Sequence, residues 1–231
     1  MKKQFSILVI LLICKVAFGQ DLKLGFNAGY GIYQLNDIKD YQQSQLNNYY
    51  SLPIKAVIDF PNAVTYTVSL DYSLNTKSCV GLSGMILTTG GRNHLADYSG
   101  EYKLDMILTG YKIGLQYSNI MVTREKVNFY SCVKSGIIFS EFDMKYTFKV
   151  YQVDSSFNNN NYQSKTFFIE PSIGFFVTPF NKMAIDVNLG YEFDYRSKFH
   201  YAGNNDVDLK DNNGDNVYLN WSGLRFSIGL S

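Results

Sequence analysis

A strict alternation of residue type dominates the chain after residue 21. In residues 22–32, apolar or aromatic side chains occupy every even position, and Gly, Asn or Lys occupies every odd one. A β-strand points successive side chains to opposite faces, so this segment predicts a strand with one apolar and one polar face. The pattern returns seven times, in segments that begin at Val64, Val80, Tyr111, Val127, Phe167, Met183 and Leu224. The sequence therefore predicts an all-β protein.

The length and spacing of these eight segments indicate how they connect. Most of them reach the 9–11 residues that a tilted strand needs to cross a bilayer. Short connections are predicted near 75–78, 118–126 and 178–182, and long ones at 34–63, 90–103, 141–164 and 196–215. Short turns at one end and long loops at the other are typical of outer-membrane barrels. We therefore predict a monomeric, eight-stranded, antiparallel up-and-down transmembrane β-barrel. Proline lacks a ladder donor, so Pro171 indicates a bulge or a break in the sixth strand.

The composition of the two faces predicts which of them lies outside. Charged residues make up only 18% of the chain and aromatic residues 16%, whereas a soluble domain usually carries about 25% charge. The polar face is rich in Gly, Ser and Asn, while a face in water would carry many Lys and Glu. We expect the polar face to line the bore and the apolar face to contact lipid. A soluble lipocalin-like ligand binder, with the apolar face inward, is the alternative.

Residues 1–19 have the pattern of a signal peptide. Lys2 and Lys3 precede an apolar run at 5–14, and the small residues Ala17 and Gly19 precede a cleavage point before Gln20. The run is too short for a transmembrane helix. A lipoprotein signal acylated at Cys14 is the alternative, but Ile13 stands where a small residue is usual. We therefore predict a signal peptide at 1–19 and an outer-membrane β-barrel domain at 20–231.

Charge and motifs exclude several functions. The formal net charge of +1 becomes −2 when the signal, which holds three Lys and no acid, is removed, so nothing favours a nucleic-acid partner. The Gly-rich stretch 88–92 lacks the Lys-Ser/Thr of a phosphate loop, and no cofactor is predicted. Residues 211–215 resemble part of a calcium loop, but Leu209 and Asn220 occupy its first and last ligand positions. Cys79 and Cys132 do not form a metal-type pair and are interpreted as structural thiols.

The last segment, 221–231, carries a resemblance to a known family. With the signal peptide and the eight amphipathic segments, it makes the chain similar to the outer-membrane β-barrel domain proteins of Gram-negative bacteria over nearly its whole mature length. The resemblance implies location in the outer membrane after export, with membrane lipid and the barrel-insertion machinery as partners. Gly223, Phe226 and Ile228 match the insertion signal of the last strand, while Ser231 stands where the family usually ends in an aromatic residue.

Charged residues on the polar face form the candidate interior site. They are Asp71, Lys112, Lys134, Glu170, Asp186, Glu192, Asp194 and Arg225. Eight strands leave a bore just wide enough for side chains, and an unpaired buried charge is costly, so these groups must pair. We predict a structural network in the lumen; the alternative is an ion or proton path in a narrow channel or transport protein.

The predicted role is structural or interaction-based at the cell surface. The long Asn-, Gln- and Tyr-rich loops, such as 41–50 and 157–162, are the expected binding surface for a ligand or partner that the sequence does not identify. No enzyme is predicted; the alternative is a lipid-modifying hydrolase that uses His94 with the nearby Asp97, Ser99 and Glu101. Aromatic residues where strands should leave the lipid are candidates for interfacial girdles: Tyr30, Tyr33, Tyr66, Tyr191, Tyr195 and Trp221.

Overall fold

Long antiparallel strands make up most of the fold. The computed structural model of the chain describes residues 22–47, 53–98, 100–150, 153–180 and 183–231, so the predicted signal peptide lies outside the described residues. One helix, α1 (Asn36–Asn47), is present in this part of the chain. The strands are β1 (Leu22–Tyr33), β2 (Lys55–Ile58), β3 (Ala63–Ser73), β4 (Ser78–Asp97), β5 (Gly100–Arg124), β6 (Val127–Val150), β7 (Val153–Phe180), β8 (Met183–Asp194), β9 (Ser197–Lys198), β10 (His200–Tyr201), β11 (Asn204–Asp208), β12 (Tyr218–Leu219) and β13 (Gly223–Leu230).

The pairings of the long strands close on themselves. The order β7-β6-β5-β4-β3-β1-β13-β8 is antiparallel throughout, and β7 also pairs with β8, which gives a ring of eight within an eleven-stranded sheet. The additional strands β2, β10 and β11 extend this sheet beside the upper parts of β4 and β7. The β7–β8 ladder has no pairs between Ile169↔Phe193 and Ser172↔Gly190, and its register is the same on both sides of this gap. On the other side, Pro171 pairs with Val133 of β6 and β7 continues through it, so the interruption is confined to one ladder and the strand itself is neither bulged nor broken there.

The apolar face of the ring points outward. Phe26 is 55% exposed, Val68 47% and Ile113 62%, whereas Lys112 on the opposite face of β5 is 4% exposed. This arrangement is the reverse of a soluble ligand-binding barrel, in which the apolar face would be inside. We call the outward apolar residues of the ring the belt. They include Phe26, Tyr30, Ile32, Val64, Tyr66, Val68, Leu82, Ile86, Tyr111, Ile113, Leu115, Phe139, Phe167, Ile169, Ile173, Leu189, Leu224, Phe226 and Ile228.

The belt has the height of a bilayer core. On β5 the outward apolar side chains extend from Ile107 to Tyr117. Ten residue steps of about 3.4 Å, tilted by about 40°, give a height of about 26 Å. Outer-membrane barrels carry an apolar band of about 25 Å. The short turns at 74–77 and 125–126 lie at one end of the belt.

Two of the predicted long loops are instead continuations of strands. Residues 90–103 belong to β4 and β5, and residues 141–164 belong mainly to β6 and β7. The loop prediction was wrong because the alternation continues beyond the belt with the two faces exchanged. On β5, Leu104, Met106 and Leu108 are fully buried inward, while Lys103 and Asp105 point outward. We call this exchange of the apolar and polar faces along one strand the polarity inversion.

Above the belt, the extended strands and the remaining two connections form a folded unit that we call the head (residues 34–62, 88–108, 140–166 and 195–221, as far as they are described). Its apolar core includes Leu35, Ile38, Tyr41, Phe60, Leu104, Met106, Phe142, Met144, Phe199, Leu209, Val217 and Leu219. The sheet supplies one side of this core, and α1 with residues 199–221 supplies the other. Side chains from four separate segments therefore hold the head together.

Helix α1 is fixed to the sheet by a buried amide pair. The Gln42 side-chain nitrogen donates to Asn93 Oδ1 at 3.0 Å, and the Asn93 nitrogen donates to the backbone oxygen of Gln42 at 3.1 Å. Gln42 also donates to the Ile58 oxygen at 2.7 Å, which ties β2 to the same point. Buried amides are stable only when their bonds are made, so this pair fixes the position of α1 on β4. No helix of the described residues is long and apolar enough to cross a membrane.

Candidate functional site

The centre of the bore contains a buried network of five charged side chains, which we call the ion network. Its members are Lys112, Lys134, Glu170, Glu192 and Arg225. They come from β5, β6, β7, β8 and β13, and each is placed by the inward position of its strand. Because the bore of eight strands brings opposite walls within side-chain reach, long charged residues can meet at its axis.

Glu192 and Glu170 are the two carboxylates of this network, and Glu170 also lies 3.6 Å from Arg225 Nε. The more completely buried of the two is Glu192. It is 0% exposed and binds both Lys112 and Arg225. Arg225 donates from Nη2 to Glu192 Oε1 at 2.5 Å and from Nε to Oε2 at 3.0 Å, which is the bidentate geometry that makes an arginine–carboxylate pair strong. Lys112 also reaches Glu170 at 3.1 Å, and Lys134 approaches the other oxygen of Glu170 at 3.5 Å.

Aromatic side chains fill the bore directly above the ion network. Lys112 lies over the ring of Phe168, with Nζ 4.1 Å from the centroid, and Arg225 lies over Tyr33 at 4.5 Å. Tyr33 meets Trp221 edge-to-face at 5.0 Å, and the Trp221 indole nitrogen donates to Ser140 Oγ at 3.0 Å. The apolar core of the head continues from this layer. The ion network and these rings together close the bore, which disfavours the alternative of an ion or proton path through it.

Two of the predicted girdle residues are therefore misplaced by the sequence analysis. Tyr33 and Trp221 are buried inside the fold, at 7% and 0% exposure, and do not face lipid. Tyr33 ends β1 and Trp221 precedes β13, at the boundary between the belt and the head. At this height an aromatic side chain can point outward to the surface or inward to the core. Tyr30, Tyr66 and Tyr195 are exposed, as a girdle requires.

Asp194 connects the ion network to the head. Its Oδ2 accepts from the backbone nitrogen of Trp221 at 2.9 Å, and its own backbone nitrogen donates to Ser222 Oγ at 2.9 Å. These bonds hold the segment that precedes β13 against the end of β8. The structure thus places Asp194 at a junction between barrel and head, apart from the ion pairs predicted for it.

Below the ion network lies a cavity of about 750 Å³, which we call the lumenal cavity. Two of the predicted inward acids line it. Asp71 accepts from Gln116 Nε2 at 2.5 Å and from Ser69 Oγ at 3.2 Å, and Asp186 accepts from the Tyr130 hydroxyl at 2.6 Å. The predicted lumen residues thus divide into the ion network, the Asp194 junction and this cavity.

Gly81 makes the contact between Asp71 and Gln116 possible. It lies between them in the sheet, paired with both, and a Cβ atom at Gly81 would lie 2.1 Å from Asp71 Oδ1. We expect Gly81→Ala to displace the carboxylate and to lower the free energy of unfolding by about 1–2 kcal/mol, the usual cost of overpacking. Urea titration of the protein in micelles measures it. Gly84→Ala is the control, because a Cβ there meets only one atom, at 3.9 Å; equal losses would contradict the assignment.

The two cysteines also line the lumenal cavity, and both are free thiols. Cys79 pairs in register with Ser118, and Ser118 pairs with Cys132, so two strand spacings separate the cysteines. Each spacing is about 4.8 Å, which exceeds in sum the roughly 7 Å limit between the Cα atoms of a disulfide. Cys79 Sγ contacts Ser118 Oγ at 3.0 Å.

The histidines lie on the outer surface of the head. His94 Nε2 is 3.2 Å from Glu101 Oε1 across the β4–β5 hairpin, and Lys149 also approaches Glu101 at 3.5 Å. The hydrogen bond from His94 is the largest of the effects that hold the pKa of Glu101 below its usual value. Ser99, the nucleophile of the enzyme alternative, lies outside the described residues. His200 Nδ1 is 2.7 Å from Asp208 Oδ1.

The calcium-like segment is a hydrogen-bonded turn. Asp211 Oδ1 accepts from the backbone nitrogens of Asn213 at 2.9 Å and Asp215 at 2.8 Å, and Gly214 adopts a φ of +88°. The carboxylate therefore caps the turn. In the described part of the chain, no group of three or more His, Cys, Asp or Glu is arranged to hold a metal ion.

Ion pairs of Asp105 at the surface make the stability of the head depend on pH. Asp105 accepts from Arg92 at 2.5 Å and from Lys103 at 2.9 Å. Burial raises the pKa of Asp105, but these two bonds outweigh it and the pKa lies below its usual value. The stabilisation is therefore present above pH 4 and is lost as the pH falls below about 4, by about 1 kcal/mol or less. Urea midpoints at pH 7 and pH 3 should differ less for Asp105→Asn than for the native chain; an equal difference would contradict this.

Several interior residues of importance were not predicted from the sequence. Gln116, Tyr130 and Asn188 hold the cavity acids in place, and the Asn188 amide donates to both Tyr130 and Ser172 at 3.2 Å. Their inward position follows from the alternation, so they could have been predicted if neutral polar residues on the inward face had been included with the charged ones. The alternation could not predict the Gln42–Asn93 pair, because Gln42 lies in a helix.

The fold is similar to solved structures of one bacterial protein. Two of them are crystal structures of Ail, the attachment invasion locus protein of Yersinia pestis, one in complex with the heparin analogue sucrose octasulfate. The sequence identities are 12% and 13%, both TM-scores are 0.36, and the comparisons cover 91% of this chain and 97% of those chains. No protein-family model and no curated protein matches the chain. At these TM-scores the similarity carries no argument about this chain, and the resemblance to outer-membrane barrel proteins depends on its own strands and faces.

Proposed function

We propose that the chain is an outer-membrane protein whose eight-stranded barrel crosses the bilayer and holds the head at the cell surface as a module for interaction. The observation that carries this proposal is the polarity inversion on the long strands. On β5 the outward face changes from Ile113 and Leu115 to Asp105 and Lys103, while the inward face changes from Lys112 to Leu104. Such a change suits one strand that passes from lipid into water.

The direction of insertion follows from the two ends of the belt. The short turns at 74–77 and 125–126 lie at one end, and the head lies at the other. In outer-membrane barrels the short turns face the periplasm and the large connections face outward. The head is therefore the extracellular part.

The structure of the head supports an interaction role over a purely structural one. A barrel of eight strands needs only short connections to close, yet this chain builds an apolar core above the membrane and fixes α1 to it through Gln42 and Asn93. A surface held rigid in this way loses little entropy when it binds. The partner is a molecule of the cell exterior whose identity the head does not reveal.

Epitope insertion in intact cells tests the proposed location and direction. A tag inserted after Gly214, in the exposed turn of the head, should bind antibody on intact cells. The matched control is the same tag between Thr76 and Lys77, in an exposed short turn, which should bind only after the outer membrane is permeabilised. Both proteins must show heat-modifiable gel mobility, so that misfolded material is excluded. Equal staining of both tags on intact cells, or staining of neither, would contradict the proposal.

A further inference from the structure

The lumenal cavity has the size and closure of a binding site. Its volume of about 750 Å³ lies within the roughly 300–1,000 Å³ that small-molecule sites occupy. The ion network and Phe168 fill the bore above it. Its mouth lies at the end of the barrel that carries the short turns, because its lining includes Ile120 and Thr178 near the ends of β5 and β7. On the proposed function, that end faces the periplasm.

The acids that line the cavity are satisfied by neutral groups. Asp71 accepts from the Gln116 amide and the Ser69 hydroxyl, and Asp186 accepts from the Tyr130 hydroxyl. Among the described residues, the ion pairs of the bore join Lys112, Lys134 and Arg225 to Glu170 and Glu192, and none of them includes Asp71 or Asp186. Each aspartate therefore presents to the cavity a carboxyl group whose hydrogen-bond partners are all neutral.

The two lysines of the lining, Lys134 and Lys23, act on these acids through space but form no ion pair with either of them. Lys134 is directed to Glu170 of the ion network at 3.5 Å. Lys23, at the start of β1, is exposed at the mouth. The space between the two aspartates therefore favours a positive charge from outside.

Aromatic rings stand beside one of the acids. Tyr130 and Phe176 are packed with their ring centroids 6.1 Å apart, and Phe176 is the cross-strand neighbour of Asp186. A carboxylate next to aromatic faces is a recognition arrangement for ammonium groups, because the ring quadrupole and the anion attract the same cation. Ile120 adds apolar surface near the mouth.

We propose that the lumenal cavity is a binding site for a small organic cation, namely a primary amine or guanidinium on an apolar body. The cationic group sits between Asp71 and Asp186, and the apolar body lies against Tyr130, Phe176 and Ile120. The entry of such a ligand from the periplasm rests on the proposed function, but the preference of the cavity for cations does not.

The native thiols report on this preference, because Cys79 and Cys132 both line the cavity. Purified protein in micelles is treated with aminoethyl methanethiosulfonate, a cation, or with sulfonatoethyl methanethiosulfonate, an anion of similar size. Mass spectrometry gives the rate at each cysteine. The cation-to-anion ratio at Cys79 is divided by that of a Tyr98→Cys variant, whose site is a 92% exposed tip of the head. We expect a normalised ratio of about ten or more, as a nearby uncompensated carboxylate would give.

A variant and a protection assay complete the test. In Asp71→Asn/Asp186→Asn the normalised ratio should fall toward about one, as Coulomb attraction is removed. Phenethylamine should slow the labelling of Cys79, while the neutral 2-phenylethanol at the same concentration should not. A ratio near one in the native protein, or equal protection by both compounds, would overturn the proposal. Because the assay uses purified protein, its result is independent of the epitope experiment that tests location.

Discussion

Replacing Glu192 with Gln should lower the free energy of unfolding by about 3–5 kcal/mol, the cost of breaking a buried ion pair on one side. Glu192 is fully buried and binds both Lys112 and Arg225. Gln keeps the shape but removes the charge, so the three cations Lys112, Lys134 and Arg225 remain with Glu170 as the one carboxylate of the ion network. The penalty arises mainly from these unpaired cations rather than from the lost attraction. Urea unfolding in lipid vesicles, followed by heat-modifiable gel mobility, measures the change.

The matched control for this prediction is Glu125→Gln. Glu125 lies in an exposed turn between β5 and β6, where the same chemical change should cost less than about 0.5 kcal/mol. A second variant, Glu192→Leu with Arg225→Met, should recover part of the loss because it removes one of the unpaired cations. If Glu192→Gln cost no more than Glu125→Gln, the ion network would not contribute to holding the bore together.

An arginine in place of Ile113 should cost about 2–4 kcal/mol, the penalty for a basic residue at the bilayer midplane of a barrel. Ile113 is 62% exposed in the middle of the belt on β5, between Ile107 and Tyr117. In a water-soluble protein, an arginine at such an exposed position would cost almost nothing. The size of the loss therefore reports directly whether lipid covers this face. Unfolding in vesicles gives the value.

Asn159→Arg provides the comparison above the membrane. Asn159 lies on β7, opposite Lys145 of β6, and is exposed on the outer face of the head. Because water covers that surface in this account, the arginine should lower the free energy of unfolding by less than about 1 kcal/mol, which arises from its position opposite Lys145. Equal effects at Ile113 and Asn159, whether both small or both large, would contradict a membrane boundary between them.

The ring of eight strands at the level of the belt could be predicted from the sequence because it follows one rule. Each strand there has a period of two, and lipid accepts one kind of side chain, so Phe26, Val68 and Ile113 are placed outward by pattern alone. The inward position of Lys112 and Glu170 follows from the same alternation. Their partners could not be predicted, since which charges meet depends on how far each strand is shifted around the ring.

The head could not be predicted because its strands carry apolar residues on the inward face, the reverse of the pattern at the level of the belt. On β5, Leu104 and Met106 lie on the same face as Lys112, so an analysis that assigns apolar residues to the outside ends the strand near Leu108. When a strand continues into water, apolar residues move to its inward face and polar residues to its outward face. In the sequence, this change interrupts the alternation and resembles a loop. Helix α1 was hidden for another reason: its sequence is polar apart from a few residues such as Ile38 and Tyr41, which are buried only because the head surrounds them.

The lumenal cavity could be predicted in part. The alternation predicted that Asp71 and Asp186 face the bore, and in the structure both line the lumenal cavity. The prediction that inward charges pair with each other does not describe them, since amide and hydroxyl donors bind both. Narrowness of the bore was the basis of that prediction. It holds at the level of Glu192, where long side chains meet. It fails lower in the barrel, where the lumenal cavity of about 750 Å³ opens and Asp71 and Asp186 bond to neutral side chains of the wall.

Quenching of tryptophan fluorescence by lipids with brominated acyl chains tests the central claim, which is that the outward apolar face of the ring contacts lipid while Trp221 lies inside the protein. Trp221 is the single tryptophan of the chain and is fully buried. The native protein in such vesicles should therefore keep nearly all of its emission. An Ile113→Trp variant that retains Trp221 should show a second emission component that the brominated chains quench strongly. Quenching of the native protein, with no additional quenching from position 113, would contradict the account.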